Sequence, residues 1–154
     1  MDKRKTLLKP AALVFVLTMI TSQFSVAADR IVDISNLGSN TAIQEAIQAS
    51  IDTNVTVTVT GTRKGITGDI KLHLPASNGM DWEAAYSSTG GIIITGDPSG
   101  STGSIRIMGT LERTGNSGSV LTLSKGANKI RVEIRSNGRV TTHSGNTSPL
   151  IRHE

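Results

Sequence analysis

Charged side chains alternate with apolar ones in several short segments of this chain, and they are the residues best placed to do chemistry. Between Ile130 and Arg135, for example, aliphatic residues at even positions are separated by Arg131 and Glu133. Successive side chains of a β-strand point to opposite faces, so such segments bury one set and present the other to solvent. The outward set consists of Lys71, His73, Arg106, Arg131, Glu133, Arg135 and Arg139.

This outward set predicts a binding face for an anionic ligand. If the strands stack about 4.8 Å apart, the side chains form rows that can bind an acidic polysaccharide or a lipopolysaccharide head group. Ordinary solvated strand faces explain the same residues, with Glu133 neutralising its neighbouring arginines. Trp82 and Tyr86 would add a sugar-stacking platform, although two aromatics in a chain so poor in them are more often core residues. The residues predicted to bind are Lys71, His73, Trp82, Arg106, Arg131 and Arg135.

Patterns for metal binding or covalent catalysis are not found in the sequence. His73, His143 and His153 have no second ligand-type residue at metal-site spacing, and a zinc site needs three or four converging ligands. The chain has no cysteine, no Gly-x-Ser-x-Gly motif and no phosphate-binding loop. We therefore expect no metal and no cofactor.

Residues 1–27 have the pattern of a secretory signal peptide. A basic start is followed by ten apolar residues, 11–20, and by small residues before a mature start at Ala28. Ten residues span about 15 Å of helix, about half of a bilayer core, so a membrane anchor is not predicted. We expect export to the periplasm, the cell surface or the medium, with no membrane span after cleavage.

The charge of the chain changes when this segment is removed. Four of the 16 basic and one of the 12 acidic residues lie within it, which leaves 12 and 11. A net charge near +1 does not indicate a nucleic-acid-binding protein. Without cysteines, burial alone must hold an exported fold together.

One helix is predicted after a weak leading strand at 28–35. Ser39 or Asn40 can cap it, Thr41 with Gln44 resembles a capping box, and an apolar stripe runs from Ile43 to Ile51. Gln44, Glu45 and Gln48 are predicted to face water.

From Val55 onward the apolar period changes from 3.6 to 2. The best-marked strands start near residues 55, 70, 92, 105, 120 and 130. The stretch 62–69 is predicted as a polar turn, and the stretch 145–154 as a C-terminal tail.

Two mainly β architectures fit, an antiparallel β-sandwich and a parallel β-helix with a capping helix. The asparagine–glycine turns at 78 and 137 favour hairpins, whereas the long intervening turns and the N-terminal helix favour the β-helix. The predicted segments are 1–27, signal peptide; 28–54, strand and capping helix; 55–144, β-coils; 145–154, tail.

The stretch Thr41–Ile94 resembles repetitive exported bacterial proteins that are adhesin-like or carbohydrate-binding-like. The similarity lies in an Ala-Ile-Gln-Glu-Ala-Ile helix leading into a Val-Thr-Val-Thr strand, then an Ile/Leu strand ending in proline, a tryptophan, Tyr-Ser-Ser and a Gly-Ile-Ile-Ile strand. The resemblance implies a short right-handed parallel β-helix of the pectate-lyase type.

Polysaccharide lyases and hydrolases with this fold use clustered carboxylates together with an arginine or lysine, and the resemblance thereby suggests weak catalytic candidates. Catalysis would need two or three carboxylates within about 5–10 Å on one face. Acids beside glycine and proline more often cap turns. The candidates are Asp69, Asp81, Glu83 and Asp97, with Arg63 or Lys71 nearby.

We expect a non-catalytic surface or periplasmic binding module, adhesin-like, with a polysaccharide or cell-envelope glycan as partner. The alternatives are a small lyase-type enzyme and a structural subunit that assembles through an exposed last coil. The third follows from the end of the predicted β-helix, where the sequence shows no helix or charged cap after Ser144.

Overall fold

The structure is a computed structural model that describes residues 30–51, 56–75 and 77–154. The predicted signal peptide, residues 1–27, lies outside the described residues. So do Ala28 and residues 52–55, where the predicted helix-containing segment 28–54 ends and the first predicted strand of the β-coils begins.

One helix and thirteen short strands make up the described regular structure. The helix, α1 (Asn40–Ser50), follows the first strand. The strands are β1 (Arg30–Asp33), β2 (Thr56–Thr60), β3 (Thr62–Ile66), β4 (Ile70–Leu74), β5 (Gly79–Trp82), β6 (Ala85–Ser88), β7 (Ile92–Gly96), β8 (Ser104–Ile107), β9 (Thr110–Arg113), β10 (Leu121–Leu123), β11 (Arg131–Ile134), β12 (Arg139–Thr142) and β13 (Ile151–His153).

The strands form three parallel sheets that are visited in turn. Sheet I has the order β1-β2-β5-β8-β11, sheet II the order β3-β6-β9-β12 and sheet III the order β4-β7-β10-β13. From β2 onward, three consecutive strands make one coil, and four coils are stacked. Every described strand pair is parallel, which confirms the predicted parallel β-helix and its single helix, and the antiparallel sandwich is wrong.

The core is a set of apolar columns that run from coil to coil. In sheet I, Val57 lies opposite Met80, which lies opposite Ile105 and then Val132. In-register pairing repeats the inward positions of each coil directly above those of the coil before. The first three of these four residues are almost completely buried. The column therefore buries aliphatic surface without needing large aromatic residues.

Strand prediction missed two strands of sheet II, β3 and β6. The stretch predicted as a polar turn, 62–69, contains β3, and the stretch Ala85–Ser88 forms β6. Only Ile66 is buried in β3, so its sequence TRKGI lacks the apolar alternation that marks a strand. The predicted tail at 145–154 is also more ordered than expected, because β13 completes the fourth coil by pairing with β10.

The asparagine–glycine pairs do not form hairpins. Gly79 is the first residue of β5, and Asn137 with Gly138 lies in the turn from β11 to β12. In both places the chain passes from a strand of one sheet to a strand of another sheet. The asparagine–glycine pairs therefore turn the chain at a corner of a coil, without antiparallel pairing.

Helix α1 covers the first coil by bonding to the backbone of β4. Its N-cap is Ser39, whose hydroxyl accepts a hydrogen bond from the Ala42 N–H at 3.1 Å. Gln44 Oε1 accepts from the Lys71 N–H, and Gln48 Oε1 accepts from the His73 N–H, each at 2.8 Å. The prediction that these glutamines face water, and that Gln44 closes a capping box, is therefore wrong.

These glutamines occupy the place of a neighbouring strand. Gln48 also donates from Nε2 to the His73 carbonyl at 3.0 Å, so one side chain satisfies both backbone groups of that residue. Residues four apart lie on the same face of a helix, which is why Gln44 and Gln48 reach alternate residues of one strand. The β4 edge of sheet III is thereby closed.

We expect Gln48→Ala to lower the free energy of unfolding by about 1–2 kcal/mol, because two intramolecular hydrogen bonds to the β4 edge are lost. Chemical denaturation measures the change. Glu45→Ala is the matched control, since Glu45 is exposed on the same helix, and we expect it to stay within about 0.5 kcal/mol of the parent. Equal losses in the two variants would contradict a specific role for the Gln48 amide.

Candidate functional site

The outer face of sheet I carries a column of alternating charge. Strand register places Thr58, Asp81, Arg106 and Glu133 opposite one another on successive coils. Because adjacent strands are about 4.8 Å apart, each charged side chain is within reach of the next. The column thus brings together acids and bases that are about 25 residues apart in the sequence.

Arg106 and Asp81 form a bidentate ion pair. Arg106 Nε donates to Asp81 Oδ1 at 2.6 Å, and a terminal guanidinium nitrogen donates to Oδ2 at 2.5 Å. The Asp81 side chain is largely shielded from solvent, while that of Arg106 is more open. Fork-to-carboxylate geometry fixes both side chains.

Glu133 bridges two arginines of its own strand region. Its carboxylate lies 2.5 Å from Arg135 and 3.6 Å from Arg131. The Arg131 side chain is 77% exposed, so solvent screening leaves this pair weak. Most of the Arg131 guanidinium is therefore open to another partner.

Arg106, Arg131, Glu133 and Arg135 border an open groove of about 370 Å³, which lies mainly on coils 3 and 4 and reaches Ser77 in the turn before β5. We name it the basic groove. Its polar hydroxyls come from the turns and from β8. Four basic side chains and one acidic side chain line it. The lining residues are Ser77, Thr102, Gly103, Ser104, Arg106, Lys129, Arg131, Glu133 and Arg135.

Three of the predicted binding residues, Arg106, Arg131 and Arg135, meet in this groove. Lys129 was not predicted, although the signal was present: it continues the odd-numbered charged positions of the 130–135 segment. It was missed because it precedes the strand and lies in the turn from β10 to β11.

Lys71 and His73 lie elsewhere, on β4 of sheet III beneath helix α1. His73 Nε2 is 3.1 Å from Asp97 Oδ1, and His73 Nδ1 is 3.4 Å from Thr95 Oγ1. Arg139 lies on β12 of sheet II. The structure therefore divides the predicted outward set among all three sheets, and only the members on sheet I and in the turn after β11 line the groove.

Trp82 is a core residue rather than a surface platform. It is 0% exposed, and its indole Nε1 donates to the Ala84 carbonyl at 3.1 Å. Its ring meets that of Tyr86 edge to face, with centroids 5.6 Å apart and planes at 74°. Both side chains point inward from sheets I and II, so the stacking role suggested for Trp82 and Tyr86 is wrong.

The four acidic candidates are separated in the fold. Asp81 is paired with Arg106 on sheet I, and Glu83 is exposed in the turn after β5. Asp97 follows β7 and faces His73. Asp69 precedes β4, where it accepts from the Gly91 N–H at 2.8 Å and lies 3.7 Å from Arg113. Asp69 thus ties one coil to the next, as the turn-capping interpretation expects.

A buried polar cluster, which the sequence did not reveal, joins helix α1 to the first two coils. Asn40 Nδ2 donates to the Thr67 and Gly68 carbonyls and to Ser88 Oγ, and Asn40 Oδ1 accepts from the Tyr86 hydroxyl at 2.7 Å. Ser88 in turn donates to the Gly68 carbonyl at 2.8 Å. Burial raises the pKa of Tyr86 above its ordinary value, and its hydrogen bonds with Ser88 and Asn40 oppose that shift only in part.

Because Tyr86 is the only tyrosine, its ionisation can be followed directly by ultraviolet absorbance. We expect the native protein to form tyrosinate at a higher pH than the denatured protein, which should titrate near pH 10. The unfolded state loses this proton first, so the contribution of Tyr86 to stability falls as pH rises from about 10 through the native pKa. A native midpoint at or below the denatured one would contradict this, and Tyr86→Phe controls for other groups that titrate there.

Among the described residues, no group of three or more His, Asp or Glu side chains could hold a metal ion. No helix in the described part of the chain is long and apolar enough to cross a membrane. Comparison of the chain with protein-family models, curated proteins and solved structures finds no match.

Proposed function

We propose that the protein is an exported, non-catalytic binding module, adhesin-like, that binds an acidic glycan of a cell surface or envelope in the basic groove. The observation that carries the proposal is the convergence of Arg106, Lys129, Arg131 and Arg135 on one open groove. The signal-peptide pattern of residues 1–27 supports export, and the separation of the acidic candidates supports a non-catalytic role.

The groove concentrates positive charge in a chain that is otherwise nearly balanced. Beyond residue 27 the chain has 12 basic and 11 acidic residues, and four of the basic ones line this single feature against one acid. Guanidinium groups bind carboxylate, sulfate and phosphate oxygens through two parallel N–H donors. A repeating anion is therefore the ligand type to which the groove is best matched.

The ligand must be held by charge and hydrogen bonds. Trp82 and Tyr86 are the only aromatic residues beyond residue 27, and both are buried, so the described surface offers no ring for stacking on a neutral sugar. The hydroxyls of Ser77, Thr102 and Ser104 can bond to sugar hydroxyls beside the charged groups. Such binding weakens as salt rises, because the Debye length shortens from about 10 Å at 0.1 M to about 3 Å at 1 M.

The test is co-sedimentation of the purified chain with insoluble polysaccharides, acidic and neutral, at low and high salt. We expect retention on a uronate-containing or sulfated polysaccharide, loss of retention at high salt and none on cellulose. Replacing both Arg131 and Arg135 with alanine should weaken retention at least about tenfold, which corresponds to about 0.7 kcal/mol for each exposed contact.

The matched control is Lys64→Ala with Arg139→Ala, which removes the same number of positive charges from exposed positions of sheet II, outside the groove. We expect this variant to bind like the parent. No retention on any acidic polysaccharide, or an equal loss in both double variants, would overturn the proposal.

A further inference from the structure

The acidic residue of the basic groove, Glu133, lies between two arginines along one strand. Arg131 and Glu133 are on β11, and Arg135 follows this strand directly. Every second residue of an extended segment faces the same side, about 6.6 Å apart, so the three side chains form one row. The Glu133 carboxylate lies 3.6 Å from Arg131 and 2.5 Å from Arg135. The groove therefore carries positive, negative and positive charge in that order along β11.

Glu133 is open to a ligand, unlike the other carboxylate that pairs with a groove arginine. Asp81 lies one coil away from Arg106, its side chain is 13% exposed, and it does not line the groove. The Glu133 side chain is 28% exposed and lines the groove. A ligand in the groove therefore meets the Glu133 carboxylate, whereas Asp81 stays paired with Arg106.

Arg106 cannot serve as the only countercharge of Glu133. It lies opposite Glu133 in the strand register. Its guanidinium, however, is held in the bidentate pair with Asp81, so a carboxylate already matches its charge. When ligand anions bind Arg131 and Arg135, the Glu133 carboxylate is therefore left without a full countercharge.

A purely anionic ligand matches this row of charges poorly. Its anions compete with Glu133 for Arg131 and Arg135, and any anion between them lies near the Glu133 carboxylate, where like charges repel. A ligand with a cationic group between two anionic groups matches all three side chains. Its contacts replace the ion pairs that Glu133 gives up.

We propose that the ligand of the basic groove is a zwitterionic glycan, in which acidic groups bound by Arg131 and Arg135 flank the ammonium group of an amino sugar bound by Glu133. This assignment rests on the proposed function, and it narrows the acidic glycans to those that also carry amines. The glycan lies along β11, because the charges alternate along that strand. Ser104, opposite Arg131 on β8, offers a hydroxyl beside it.

Carboxymethyl chitosan and its N-acetylated derivative are the matched probes, because they share a backbone and a carboxylate content. Acetylation removes the ammonium groups and makes the polymer more anionic. Isothermal titration calorimetry of the purified chain, at low salt and mildly acidic pH, gives both dissociation constants. We expect the free-amine polymer to bind at least about threefold more tightly. Net charge alone would give the opposite order.

Glu133→Gln should reverse this preference. The substitution keeps the shape of the side chain and removes its charge, so the acetylated polymer should bind the variant at least about threefold more tightly than it binds the parent. Glu112→Gln is the matched control, because Glu112 is a partly buried acid on β9 of sheet II, outside the groove. We expect it to keep the preference of the parent, and circular dichroism checks that both variants are folded.

The outcomes separate this ligand class from the proposed function. A parent that binds acidic polymers without preferring the free-amine one overturns the zwitterionic ligand and leaves the proposed function standing. A preference that Glu133→Gln leaves unchanged, or that Glu112→Gln reverses equally, does the same. Absence of binding to both probes and to every acidic polysaccharide overturns the proposed function itself.

Discussion

In-register stacking of inward side chains is the interaction on which the rest of this structure depends. Each aliphatic residue is buried by the residue one coil away, and full burial of one such side chain contributes about 1.5–3 kcal/mol. The column Val57, Met80, Ile105 and Val132 keeps this contact although the coils between them are 23, 25 and 27 residues long. The turns therefore absorb most of the difference in coil length while this column keeps its register, although the β3–β6 pair of sheet II contains one register shift between Arg63 and Ile66.

The number of inward apolar residues in each strand explains which strands were predictable from the sequence. Most strands of sheets I and III contribute two or three inward apolar residues, so strands such as Ile70–Leu74 show strict alternation and their starts were predicted from the sequence. Sheet II contributes fewer, and its strands β3 and β6 are largely polar. Their pairing is fixed by the coil above and below, which no local window of sequence contains. Because the length of the coils varies, the sequence also has no fixed period that would reveal the repeat.

For the candidate site as well, the sequence predicts which face of a strand a side chain lies on but not the sheet to which the strand belongs. Alternation correctly put Arg106, Arg131 and Arg135 on an outer face, since period 2 alone decides inside from outside. It could not separate them from Lys71 and His73, because the sheet to which a strand belongs depends on the number of turns before it. The Asn40 cluster was beyond prediction for a related reason: Asn40 suits a helix cap, and only the fold reveals Tyr86 and Ser88 beside it.

The corner between sheets II and III is longer in the last two coils than in the first two. It spans residues 67–69 and 89–91 in the first two coils, but residues 114–120 and 143–150 in the last two. The longer loops bond to each other, with Gly118 N–H donating to Ser148 Oγ and Asn146 Nδ2 donating to the Gly118 carbonyl, each at 2.9 Å. This corner therefore accommodates inserted sequence while the columns keep their register. It is a place where evolution can diversify the protein, and where a foreign peptide can be displayed, at low cost to folding.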